Sequence, residues 1–250
     1  MILIQNKPVD EDQLIKQFSQ NGIELQIVNT LLKSEVKYQY DSVEQLIFEI
    51  NLRKEIINAS YNLHKSGMDF EVFRESRCNP DFWNRTDEGG FILKDGVKPS
   101  DAINDIFTNG RKYGTECATA MIIVYYKALL SVYKDDKFNK LFPRIQLMNW
   151  HYVDRLLKEV GYMDKPQDYL PGDRRYFINP DVNPLTPEWQ GENVIDLSNG
   201  NYYGHGIGIE KAAIIIRELN NARIKDANKT AYLIDSVGRP NFKKLFELSR

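Results

Sequence analysis

Apolar residues recur at Leu46, Ile47, Ile50, Ile56, Ile57 and Leu63, near the spacing of a helix face. Asp41-Ser42-Val43-Glu44 ahead of them offers a cap, and Ser66-Gly67 ends the run. The segment 76–99 is polar and turn-rich, with Asn79-Pro80-Asp81, Gly89-Gly90 and one short strand candidate, Phe91-Ile92-Leu93. Pro99-Ser100-Asp101-Ala102-Ile103 opens a second helix that Asn109-Gly110 closes. A third helix, headed by Gly114-Thr115-Glu116-Cys117, covers 118–130, the most apolar stretch. It carries Lys127 and falls short of the roughly 20 residues of a membrane span, so a buried helix is expected. Then the pattern changes. Segments 144–150, 175–178, 191–197 and 202–209 read as strands, 211–223 as a helix and 230–234 as a closing strand. Helices first and strands later predict an α+β fold, helix-rich over about 1–130 and strand-rich over about 144–234. No repeat, low-complexity tract or Gly/Ser linker divides residues 1–250, so a single domain is expected.

Composition narrows the partners. The chain's 33 Lys+Arg against 35 Asp+Glu leave a net charge of −2, too little to hold a polyphosphate backbone, so nucleic acid is not an expected partner. With 42% hydrophobic and 27% charged residues, the chain fits neither the disordered nor the membrane class. The opening Met1-Ile2-Leu3-Ile4-Gln5-Asn6-Lys7 lacks the form of a signal peptide, and cytosolic synthesis is expected. Two cysteines and three histidines argue against a disulfide framework and a Cys/His zinc site. No Asp-rich loop of EF-hand form is visible, so neither a metal nor calcium dependence is expected.

Of the two cysteines, Cys117 has the more telling position. With Thr115 as N-cap, Cys117 falls among the unpaired amides of the first turn, whose partial positive charge favours a thiolate. The same amides could hold an oxyanion. Glu116 works the other way, because an ionised neighbour raises a thiol pKa. A free cysteine there is equally a small apolar residue of a buried helix. Cys78, beside Arg77 in a loop, has no apolar helix after it and is the weaker candidate.

A partner for the sulfur comes from a hairpin. Segments 191–197 and 202–207 flank Asn199-Gly200, a pair suited to a two-residue primed turn. In that register Ser198 faces Asn201 and Val194 faces His205, which makes Glu192 and His205 diagonal neighbours on one face. A slip of one residue would put them on opposite faces. The alternative is a Gly-rich core hairpin with a structural ion pair.

Three motifs, residues 115–120 around Cys117, Trp189-Gln190-Gly191-Glu192-Asn193-Val194-Ile195, and Tyr203-Gly204-His205-Gly206-Ile207-Gly208-Ile209, resemble the bacterial spore-coat transglutaminases, protein-glutamine γ-glutamyltransferases. Leu63-His64-Lys65-Ser66-Gly67, Pro99-Ser100-Asp101-Ala102-Ile103, Trp150-His151-Tyr152 and Leu245-Phe246 support the match. The resemblance covers most of the chain, weakening before Lys37 and over 153–170. It implies a papain-like cysteine-enzyme core of NlpC/P60 type with an added N-terminal helical scaffold. On that resemblance the nucleophile falls on Cys117, the principal acid/base carboxylate on Glu192, the histidine on His205, and a second carboxylate on Glu116.

The implied chemistry is acyl transfer from a glutamine side chain to a lysine amine through a cysteine thioester, with no cofactor. Protein substrates with reactive Gln and Lys, spore-coat proteins by resemblance, are the implied partners, with no nucleic acid or membrane. Water competes with lysine for a thioester, so a dry channel is expected. Phe70, Trp150, Trp189, Tyr202 and Tyr203 are its candidate walls, each otherwise a core residue. His64 reads as structural, His151 as a core histidine or an orienting partner, and Asp135-Asp136 as a solvated loop. Two rivals are a cysteine amidase or peptidase on the same core and a structural coat component in which Cys117 only packs.

Overall fold

A computed structural model of the chain describes residues 1–18 and 22–250. The N-terminal part contains β1 (Ile2–Ile4), β2 (Lys7–Pro8), α1 (Glu11–Ile15), α2 (Ile23–Lys33), β3 (Tyr38–Tyr40) and the long α3 (Val43–Ser66). Next come β4 (Asp69–Phe70), β5 (Trp83–Arg85), β6 (Phe91–Leu93), α4 (Pro99–Thr108), β7 (Gly114–Thr115), α5 (Cys117–Leu141) and β8 (Gln146–Leu147). The C-terminal part adds β9 (Arg174–Ile178), β10 (Gly191–Asp196), β11 (Asn201–Gly204), β12 (Gly208–Lys211), α6 (Ala212–Asn221), β13 (Tyr232–Leu233) and α7 (Phe242–Ser249).

Local chemistry explains the central helix. Ser42 caps α3 by accepting from the Gln45 N–H, and Gly67 ends it at φ 74°, where a side chain would be strained. α3 packs along α5 and both are clad in buried aliphatic and aromatic residues, among them Leu52, Ile56, Leu63, Met121, Ile123 and Tyr126. α5 is long and apolar enough to cross a membrane by composition, yet its most apolar window is 78% buried inside the fold.

Against this helix pair lies a five-stranded antiparallel sheet of order β12-β11-β10-β9-β13. Alternation divides its residues: Ile195, Leu197 and Tyr203 join the α3/α5 core, whereas Val194 and Phe177 pack with Ile215 and Leu219 of α6. The fold is thus α+β, as expected. The sequence pattern did not show the β2-β1-β3 sheet, whose parallel β1–β3 pair closes a second core around Leu14, Ile27, Leu31, Leu46 and Ile50. Strands of two or three residues are too short to display an alternation.

Other expectations need correction. The helix expected over 118–130 continues to Leu141 across a non-helical Lys134 (φ 64°), because Phe138 returns to the core against Tyr126 and Phe142. Asp135 and Asp136 are exposed but helical rather than in a loop. The strand expected over 144–150 pairs only at Gln146–Leu147. At Asn149 the chain turns (φ 34°), its N–H donating to Thr119 Oγ1 at 2.8 Å and its Oδ1 accepting from the His151 N–H. That turn swings Trp150 and His151 towards the start of α5. The strand expected over 202–209 is two strands, β11 and β12, joined by a turn at 205–207.

Candidate active site

Cys117 is the first residue of α5, but the cap is Glu116, one residue later than expected. Thr115 instead pairs in β7 with Phe70 of β4. The Glu116 carboxylate accepts from the N–H groups of Ala118 and Thr119 at 2.5 and 2.8 Å and from the Thr119 hydroxyl. The longer side chain reaches the amides that Thr115 was expected to serve, so part of the helix end is already taken by an anion. Burial raises the Glu116 pKa against these hydrogen bonds. The Cys117 thiol is buried and its pKa is pushed well above the ordinary value, first by desolvation, then by the carboxyls of Glu192 and Glu116.

Glu192 lies on β10 opposite Phe177 of β9 and is 1% exposed. Its carboxyl is near enough to the Cys117 thiol for the two charges to interact, and the Gly206 N–H donates to its Oε1 at 3.2 Å. Desolvation is the main reason its pKa is raised to about 8, with the Glu116 charge adding and the Gly206 and His205 N–H groups opposing. Glycine is required beneath it: a Cβ on Gly204 would stand 2.8 Å from both Cγ and Oε1 of Glu192.

The expected hairpin register is one residue off. Asn199 (φ 53°) and Gly200 (φ 70°) do make the tight turn, closed by Asn201 N–H donating to Ser198 O. However, Ser198 also takes φ 75°, its N–H held by Asp196 Oδ1 and its hydroxyl by Gln26 Oε1, each at 2.8 Å. This extra residue makes Leu197 pair with Asn201, so Val194 faces Gly204 and not His205. His205 therefore falls in the turn after β11. Its Nε2–H donates to the Asp69 carbonyl and its Nδ1 accepts from the Tyr203 hydroxyl, both at 3.0 Å, which fixes the neutral tautomer. Desolvation lowers its pKa to about 4. Cys117, Glu192 and Glu116 are brought together; the His205 ring is engaged elsewhere, while its backbone supports Glu192.

A pocket of about 670 Å³ opens over the sulfur, lined by Phe70, Val72, Phe73, Glu116, Cys117, Ala118, Asn149, Trp150, His151, Gly161, Met163, Arg174, Tyr176, Pro187, Glu188, Gln190, Gly191 and Asn193. Of the candidate walls, Phe70 and Trp150 line this pocket; Trp189 lies outside the lining, tilted against Phe70 with centroids 5.7 Å apart. Tyr202 and Tyr203 are not in the lining. Alternation along β11 turns Tyr202 onto Phe177 and buries Tyr203 in the α3/α5 core. His151 is exposed at the pocket rather than in the core. Cys78 lies apart; burial raises its pKa to about 11, and Arg77 is bound to Asp69 and Glu71. Arg174, Tyr176 and Asn193 were missed. Their signal was polar residues inside strands otherwise destined for burial, Arg174-Arg175 and Asn193. Among the described residues no group of three or more His, Cys, Asp or Glu could hold a metal ion.

Fold and site together define a class: an α+β protein with a buried thiol at a helix start, one carboxyl beside it at an apolar pocket and a second buried carboxyl on the adjoining sheet, residue types that cysteine-dependent acyl chemistry uses. The family profile described as protein-glutamine gamma-glutamyltransferase matches residues 1–249, and the chain belongs to this family. It is 48% identical over 214 residues to the protein-glutamine gamma-glutamyltransferase of Bacillus mycoides (strain KBAB4), covering 86% of this chain and 76% of that one. The enzyme of the same name from Bacillus cereus (strain G9842) is 46% identical over 216 residues, with the same coverage. A solved transglutaminase from Geobacillus stearothermophilus, without its C-terminal extension, superposes with TM-score 0.78 at 50% identity, over 84% of this chain and 99% of that one. The protein is an enzyme, a transglutaminase.

Proposed function

We propose that this transglutaminase works through a Cys117 thioester on a papain-like core of NlpC/P60 type, and that its substrates are spore-coat proteins. The Cys117 thiol and Glu116 at one apolar pocket, with the buried Glu192 carboxyl acting on the same thiol from behind the lining, carry the mechanistic reading. A helix that starts at a cysteine and packs on an antiparallel sheet carrying the acid/base group supports the core assignment. The coat assignment rests on the motif resemblance and on the Bacillus relatives.

Glu192 has the acid strength the cycle needs. A carboxyl with pKa about 8 is present in both protonation states near neutral pH and can serve as base and acid in turn. As Cys117 Sγ attacks the glutamine carboxamide carbon, the thiol proton passes to Glu192. The C–N bond breaks with return of that proton to nitrogen, ammonia leaves and the thioester remains. A lysine amine then attacks the thioester carbon, Glu192 takes the amine's proton, the C–S bond breaks and the proton returns to sulfur. Glu116 stands beside the same thiol and is the reserve carboxyl. His205, neutral and engaged at both ring nitrogens, contributes by holding the turn whose N–H groups bind Glu192.

The deciding experiment incubates the enzyme with a glutamine-bearing coat-protein extract and a labelled primary amine. Wild type incorporates amine and forms ε-(γ-glutamyl)lysine bonds with release of ammonia, and Cys117→Ala does neither. Full activity of Cys117→Ala removes the thioester reading. Conversion of glutamine to glutamate without amine incorporation identifies an amidase instead.

A further inference from the structure

Arg174 Nη1 donates to the Asn193 Oδ1 at 2.7 Å. A guanidinium has no acceptor, so the Asn193 oxygen must face Arg174 and its NH2 must face away, towards Cys117 Sγ at 3.5 Å. Arg174 itself cannot turn. Its Nε and Nη2 donate to the Val160 carbonyl at 3.1 and 2.8 Å, Nη2 also to the Tyr162 carbonyl at 3.0 Å, and its plane lies 4.3 Å from the Trp150 ring centre. Gly238 leaves the room it occupies, since a Cβ there would stand 2.7 Å from Nη2. Asn193 is 7% exposed and Arg174 2%.

The sulfur needs such a donor because the amides of Ala118 and Thr119, near its end of α5, are bound to the Glu116 carboxylate. The charged and titratable groups facing Cys117 are Glu116 ahead of it, Glu192 on β10, and Arg174 and Tyr176 on β9; His151 and Glu188 also line the pocket. Two carboxyls oppose ionisation of the thiol, and the cation is one residue removed, acting through Asn193. The Asn193 main-chain N–H adds to the side-chain donor in favouring the thiolate.

We propose that Asn193 is a further catalytic residue, whose locked amide N–H stabilises negative charge on Cys117 Sγ as it loses its proton and again when the amine expels it, and that Arg174 is the positioning residue that locks it. The inference rests on Cys117 being the nucleophile.

The test uses the full chain and two readouts: the pH dependence of Cys117 alkylation by iodoacetamide, and kcat and KM for incorporation of a labelled amine into a glutamine peptide. Asn193→Asp keeps the shape and the bond to Arg174 but turns an acceptor on the sulfur. Its alkylation profile should move up by about one pH unit or more, and kcat should fall by roughly 100- to 1000-fold with KM little changed, in the range of a lost oxyanion-type donor. Arg174→Lys should shift the profile in the same direction, and adding it to Asn193→Ala should cost little more, because both remove one interaction. Thermal unfolding of each variant separates loss of fold from loss of function, and Asn193→Ser replaces the aspartate variant if that one does not fold. Unchanged alkylation profile and kcat in a folded Asn193 variant overturn the proposal. Cys117→Ser in the same assays keeps the two readings apart: residual wild-type activity there removes the nucleophile, whereas an inactive Cys117→Ser beside unaffected Asn193 variants removes only the role of Asn193.

Discussion

Replacing Glu192 with glutamine removes an ionisation while keeping the shape of the side chain and an oxygen for the Gly206 N–H. In the folded chain this carboxyl has a pKa of about 8 against an ordinary 4.5. Because the folded value is the higher one, its stabilising contribution is complete below about pH 4.5 and is lost as pH rises through about 8. At about 1.36 kcal/mol per unit, the buried carboxylate costs the fold on the order of 3 kcal/mol at about pH 7 and on the order of 5 kcal/mol at about pH 9. Glu192→Gln is exempt from that cost. The two forms should be nearly equal in stability at about pH 4.5, with the variant ahead by those amounts at higher pH, or roughly 10 °C in Tm at about pH 7. Urea unfolding across the pH range measures the difference, in a Cys117→Ser background so that the thiol does not titrate. A constant difference between the two forms at every pH would refute the reasoning, since it would mean that the carboxyl ionises alike in both states.

Activity should follow the same ionisation. For wild type, kcat/KM with a glutamine peptide should rise through an apparent pKa near 8, as the Glu192 carboxylate becomes available as base; Glu192→Gln should lose that limb and fall by about 100-fold or more, and Glu116→Gln by less, read from pH–rate profiles. Gly204→Ala places a methyl 2.8 Å from the Glu192 side chain, so activity should drop by about tenfold or more with the fold retained, as judged by circular dichroism. Asp173→Asn breaks the buried pairs with Arg53 (2.8 Å) and Arg239 (2.6 Å) and should cost on the order of 3 kcal/mol in urea unfolding. Burial alone would raise the Asp173 pKa, but the two guanidiniums outweigh it and the net shift is downward. Its stabilising share is therefore present above the ordinary carboxylate range and is lost as pH falls below it.

Local chemistry was legible wherever one segment sets its own conformation. Ser42 and Gly67 bound α3, Pro99 starts α4, and Asn199-Gly200 form the tight turn, all through interactions within a few residues. Cys117 was placed at a helix start for the same reason. What failed depended on distant partners. The hairpin register is displaced by Ser198, whose hydroxyl is held by Gln26, 172 residues earlier in the chain. With Ser198 in that conformation, His205 leaves the face of Glu192 and Gly204 lies beneath the carboxyl. Asn193 and Arg174 were overlooked because their bond, and the carbonyls that hold Arg174, exist only once β9, β10 and the 160–162 segment meet.

If Cys117 is the nucleophile, as proposed above, the charges around its sulfur bear on when it becomes reactive. A helix N-terminus would by itself favour a standing thiolate. Here burial raises the thiol pKa, the Glu192 and Glu116 carboxyls raise it further, and Glu116 also occupies the amides of Ala118 and Thr119, all of which favour the protonated sulfur. The thiolate, not the thiol, is what oxidants and alkylating agents attack, so a protonated Cys117 is sheltered until a substrate arrives. In the proposed mechanism, a protonated Cys117 near a carboxyl that titrates near 8 keeps acid and base close together, and the proton needs to move only as the C–S bond forms. Negative charge must then be met at the sulfur itself during the transfer. Asn193, held by Arg174 with its N–H towards Sγ, is placed to meet it.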